Sequence, residues 1–238
     1  MSPRLPLRCL EEVVGTALLV GIGVGSIVEG ARLGGVPQLD LAIAWFVAVA
    51  LPVLLFAAGS GAHLNPIVTL TLVGSRRFPA REALPYVGSQ IVGAFVGAGV
   101  VLLTMGGEAH LGATLPAGGD LPRTFVLELG FTFALLLSVL YLTMPLRTPR
   151  AWELLLPATV VGFSTFFIGP YTGSSLNPAR TIAPAVLSGD YQGIGVYLAA
   201  AAVAGAIATG AALLSQRRAE ERGAEATESS HEATGDLA

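Results

Sequence analysis

Six stretches of about twenty mainly apolar residues leave this chain few folds to choose from. They fall at about 10–29, 39–58, 83–105, 123–144, 153–171 and 192–214, and each is long enough for a helix to cross the hydrocarbon core of a bilayer. Composition agrees. Of the 238 residues 53% are hydrophobic and 12% charged, and the mean hydropathy is +0.70, so the expected solvent is lipid. The chain therefore reads as an all-α membrane protein with six transmembrane helices.

Six spans put both termini on one side. All thirteen basic residues are arginines, and Arg4, Arg8, Arg76, Arg77, Arg81, Arg147, Arg150, Arg217, Arg218 and Arg222 fall on ends and loops assigned to that side. Only Arg32 and Arg123 fall opposite, while Arg180 sits within a motif described below. The positive-inside bias makes the arginine-rich side cytoplasmic and implies a multi-pass protein of the cell membrane. Glu11 and Glu12 stand where the apolar part of a cleaved signal would begin, so the first span reads as a permanent helix. A single cysteine, Cys9, leaves no intrachain disulfide, and neither a metal nor another cofactor is indicated. The net charge of −3 is dominated by the tail at 215–238, rich in Glu, Ala, Ser and Gly without apolar periodicity, which is expected to be disordered. No nucleic-acid partner is expected.

The chain is internally duplicated. Gly61-Ala62-His63-Leu64-Asn65-Pro66 returns 112 residues later as Gly173-Ser174-Ser175-Leu176-Asn177-Pro178, and the same offset maps Gly93-Ala94 onto Gly205-Ala206. Glu12 and Thr16 in the first span recur as Glu128 and Thr132 in the fourth, each pair on one helical face. With three spans per half, the second copy enters the membrane from the opposite side, as inverted repeats do. The expected organisation is a short N-terminus at 1–9, a first repeat at 10–105, a connecting loop at 106–122, a second repeat at 123–214 and the tail.

The segments after each Asn-Pro are too short to cross, so they read as re-entrant half-helices at about 65–74 and 177–187. Asn is a good N-cap and Pro is favoured in the first turn. The Gly/Ser-rich approach to each is extended backbone, allowed at membrane depth only where it is buried in protein or lines water. A pore or a midplane binding site follows. Gly21 and Gly25, and Gly93 and Gly97, have the spacing of close helix packing.

These residues, from Ser60 to Pro66 and from Thr172 to Arg180 with the paired glutamates, resemble the aquaporin and aquaglyceroporin (major intrinsic protein) family over about 10–214. The connection from Gly112 to Gly118 is similar to that of plant nodulin-like intrinsic proteins and their bacterial relatives. The resemblance implies a passive channel for water and small neutral solutes such as glycerol, urea or arsenous acid, and a homotetramer in the bilayer. It assigns the Asn65 and Asn177 amides to the pore centre and backbone carbonyls of Gly61, Ala62, His63, Gly173, Ser174 and Ser175 to its walls. Glu12 and Glu128 would brace those loops. Spacing from the two asparagines carries the family's selectivity filter onto Trp45, Thr165, Ser174 and Arg180. Thr165 stands where a water-selective member resembles His, which favours larger solutes. Ile67 replaces the usual Ala and is expected to alter how the half-helix tips abut.

Other readings use the same residues. A strictly water-selective aquaporin keeps the fold, and His63 is either a pore-lining group or a pH-responsive one. Glu12 and Glu128 as proton carriers would make the chain an inverted-repeat secondary transporter. Against that, six spans are few for alternating access. No metal cluster or nucleophile pair supports an enzyme.

Overall fold

The computed structural model describes residues 4–144 and 149–235, so Arg147 and the end of the expected tail lie outside the described residues. The described chain is all-helical. Its long apolar helices are α1 (Leu5–Arg32), α2 (Gln38–Phe56), α4 (Ala80–Met105), α6 (Leu121–Leu142), α7 (Leu156–Thr172) and α9 (Ile194–Gly235). Two short helices, α3 (Pro66–Gly74) and α8 (Pro178–Ser188), start at the Asn-Pro pairs. Between α4 and α6 the connecting loop contains a tight turn, α5 (Glu108–Leu111), and a 3₁₀ turn, Ala117–Gly119. A 3₁₀ turn, Ala151–Leu155, leads into α7.

Packing repeats the duplication. The most extensive interfaces are α1 with α4 and its equivalent α6 with α9, while α2 and α7 meet across the pseudo-twofold axis. Each half-helix is held by the other repeat: α8 packs on α4, and α3 on α9. The two α1–α4-type seams reach close approach differently. A Cβ on Gly93 or Gly97 would run into the α1 carbonyls of Val13 and Ala17, so this seam needs glycine. Along α9 the buried seam is Ala201, Ala204, Ala208 and Ala212.

Ile67, expected to bear on the half-helix tips, packs toward α9: its Cδ1 lies 2.6 Å from where a Cβ on Gly205 would stand, so the extra carbons fill a notch in that helix. A second difference is at the C-terminal end, where the tail was expected to be irregular and the backbone stays helical to Gly235. Ala and Glu are strong helix formers, and continuity with a spanning helix removes the cost of nucleation.

The far end of α3 is also tied down. Arg77 donates to the Leu140 carbonyl and, at 3.1 Å, to Thr143 Oγ1, and Gln216 Nε2 donates to the Ser75 carbonyl at 3.1 Å. Carbonyls left open at helix C-termini thereby gain partners.

Candidate functional site

Asn65 and Asn177 cap α3 and α8, each accepting on Oδ1 from the backbone N–H two residues on, Ile67 at 3.1 Å and Ala179 at 2.9 Å. Each also reaches into the other repeat. Asn65 Nδ2 donates to the Leu176 carbonyl and Asn177 Nδ2 to the Leu64 carbonyl, both at 2.9 Å. A carboxamide has two N–H donors, so one fastens the half-helix tips together and one is left for whatever passes. Both helix N-termini, with their positive dipole ends, converge on this junction.

The loops leading to the asparagines share an unusual backbone. Gly61, Ala62 and Leu64 have φ of 90°, 47° and 53°, and their counterparts Gly173, Ser174 and Leu176 have 74°, 48° and 55°. A non-glycine residue in the left-handed region costs about 1–2 kcal/mol, so something must hold it. Glu12 accepts from the N–H groups of His63 and Leu64 at 2.9 and 2.8 Å, and from Ser60 Oγ and Gln90 Nε2, both at 2.8 Å. Glu128 accepts from the N–H groups of Ser175 and Leu176 at 2.9 and 3.0 Å, and from Thr172 Oγ1 at 2.7 Å. Ser60 and Thr172 in turn accept from the N–H groups of Ala62 and Ser174, both at 3.0 Å. In a planar trans peptide the carbonyl points opposite to the following N–H. Drawing two N–H groups to the glutamate, and the one before them to the hydroxyl it holds, therefore turns the carbonyls of Gly61, Ala62 and His63, and of Gly173, Ser174 and Ser175, the other way.

A cavity of about 590 Å³ runs past both asparagines, bounded by Trp45, His63, Ser175 and Arg180 on its polar parts and by Val49, Val68, Leu135 and Val161 on its apolar wall. Neither glutamate lines it. Both are fully buried, at 0% and 1% exposure, with their oxygens committed to the loops.

Arg180 and Trp45 come together. The guanidinium carbon lies 4.7 Å from the indole centroid, and the indole occupies space that only glycine at position 23 leaves open, since a Cβ there would stand 2.5 Å from the ring. Arg180 donates from Nη1 to the Gly112 carbonyl at 2.7 Å and from Nη2 to the Gly173 carbonyl at 3.4 Å. Its Nε is buried without a protein partner.

Thr165 and Ser174 are placed differently. Both are buried, but neither bounds the cavity. Ser174 Oγ lies 2.6 Å from Ser164 Oγ. The Thr165 carbonyl accepts from Gln38 Nε2 at 2.5 Å, while its hydroxyl is buried without a protein partner. Gln38 had not been singled out, nor had Gln90, nor Gly112, whose carbonyl meets Arg180. Tyr86 and Tyr197 were also missed, although each donates to the equivalent carbonyl, Ser60 at 2.9 Å and Thr172 at 2.7 Å. Their separation, one residue off the motif's repeat, hides them from a fixed-offset comparison.

Residues 2–213 match the family model for the major intrinsic protein. The rice (Oryza sativa subsp. japonica) Aquaporin NIP1-1 is 36% identical over 205 residues, covering 84% of this chain and 71% of that protein. Nodulin-26 of Glycine max is 34% identical, covering 84% and 74%, and Aquaporin AqpM of Methanothermobacter marburgensis is 33% identical, covering 76% and 82%. Among solved structures, the aquaglyceroporin from Plasmodium falciparum superposes with a TM-score of 0.75 at 26% identity, over 87% of this chain and 94% of that one. With the duplicated half-helices, the capped asparagines and the buried arginine all in place, this chain belongs to the major intrinsic protein family of membrane channels.

Proposed function

We propose that this protein is a passive channel for water and small uncharged solutes of the size of glycerol and urea, with arsenous acid as a further candidate, and that it excludes protons and ions. The observation that carries the reading is the cavity that passes both asparagines and the Arg180–Trp45 pair. Trp45 offers an apolar face to a carbon skeleton, and the Asn amides and loop carbonyls offer donors and acceptors to hydroxyls. Two positive helix ends and a buried guanidinium oppose cations. Thr165, standing where a water-selective member resembles His, supports a filter wider than one lined by an imidazole.

The committed oxygens of Glu12 and Glu128 favour this reading over a proton-coupled transporter, because a proton carrier must meet the pathway. Each subunit conducts on its own within a homotetramer of the cell membrane, with both termini in the cytoplasm, as the arginine distribution favours. Stopped-flow light scattering on proteoliposomes under sucrose, glycerol and urea gradients, with arsenite uptake followed in parallel, tests the solute range. Glycerol and urea are expected to pass, and Thr165→His to narrow the range. Water passage with glycerol, urea and arsenite all excluded would overturn the wide filter.

A further inference from the structure

Among the described residues, consecutive non-glycine residues occupy the left-handed region at one place, outside the two asparagine loops. In the connecting loop Ala109, His110 and Leu111 have φ of 49°, 53° and 53°. Leu111 is fully buried, and the next residue, Gly112, is the one whose carbonyl accepts from Arg180. At the asparagine loops a carboxylate holds the strain, and here too a carboxylate is in reach. His110 Nδ1 lies 3.0 Å from Asp190 Oδ2. Asp190 follows the end of α8 and is itself fixed, its Oδ1 accepting from the Gln192 N–H at 3.1 Å. Arg180 is in the first turn of that same helix. The turn is therefore tied to both ends of α8, through Gly112 to Arg180 and through His110 to Asp190.

We propose that the His110–Asp190 pair is a positioning latch for the filter: it holds the left-handed turn that aims the Gly112 carbonyl at Arg180, and so sets how sharply the channel discriminates solutes by size. This rests on the channel reading above. Of the elements packed against the turn, α8 brings Asp190, with Tyr191 beside it, and Arg180. The end of α1 brings Glu29 and Arg32, which pair with each other at 3.3 Å. The turn itself carries Glu108, and the C-terminal half of α4 carries no ionisable group. Histidine is the side chain that changes charge between about pH 5 and 8. The pair is strongest when His110 is cationic, so the latch tightens in acid and loosens in base.

The test uses the full chain in proteoliposomes, with the same pH on both sides, and compares glycerol with the larger polyol erythritol. The wild-type glycerol-to-erythritol permeability ratio is expected to be about two- to fivefold higher at pH 5.5 than at pH 8.5, the range that a partly exposed ion pair can supply. His110→Asn, which keeps a residue tolerant of the left-handed region, and Asp190→Asn are expected to give the low ratio at both pH values while still conducting glycerol. A wild-type ratio indifferent to pH, a variant that keeps the wild-type pH response, or a variant that conducts no glycerol would overturn the latch. Absence of glycerol flux in the wild type at either pH would instead overturn the channel reading.

Discussion

The two asparagine loops have nearly the same backbone and different supports. Both use a buried glutamate, a hydroxyl at the loop entrance and a tyrosine on the entrance carbonyl. Beyond that they diverge. In the first repeat Gln90 adds a fourth bond to Glu12 and a bond to Thr69 Oγ1 at 2.9 Å, and His63 Nδ1 meets Thr69 at 3.0 Å within a cluster with Phe78 and Tyr86. In the second repeat Ser175 replaces the histidine and bonds Thr181, which meets Thr114 of the connecting loop at 3.4 Å. One loop is anchored within its own repeat. The other is wired to the connecting loop and to the arginine. The two repeats thus share what shapes the backbone and differ in the polar residues around it.

The strongest test of the shared part is removal of a carboxylate. Glu12→Ala and Glu128→Ala each leave buried N–H groups without an acceptor, and breaking such a charged network costs about 3–5 kcal/mol. Both variants are expected to lose thermal stability in detergent and solute flux in vesicles, and tolerance of either would break the equivalence of the two loops. Ile67→Ala, which empties the notch over Gly205, is expected to cost about 2–3 kcal/mol with glycerol permeability unchanged, because the side chain is not on the cavity wall. Gln90→Leu probes the divergence, since it removes a donor to the buried carboxylate that the second repeat lacks. Its expected cost is about 1–3 kcal/mol, read in the same melting assay, and a cost equal to that of Glu12→Ala would make glutamine as essential as the glutamate.

The architecture was legible because lipid leaves the chain so few options. Span length, the short Asn-Pro segments and the inverted repeat each follow from what a bilayer permits. Arg180 could be located from spacing because it lies one turn into the helix that Asn177 caps, whereas Trp45, on α2, meets it only through the fold. Counting locates Thr165 and Ser174 along the chain but does not reveal partners such as Ser164 Oγ, which lies 2.6 Å from Ser174 Oγ. Gly112 was invisible for a different reason: its contact with Arg180 depends on the path of an irregular loop, and its contribution is a backbone carbonyl that any residue type carries. Ile67 was misread because its partner, Gly205, is on a distant helix.

The central claim is that the tied half-helices form a passive conduit. Initial glycerol uptake into proteoliposomes, measured over a wide concentration range with and without a proton gradient, tests it most directly. The account predicts uptake linear in the gradient, equal in both directions and unchanged by a protonophore. Saturable uptake that vanishes when the proton gradient is collapsed would contradict it.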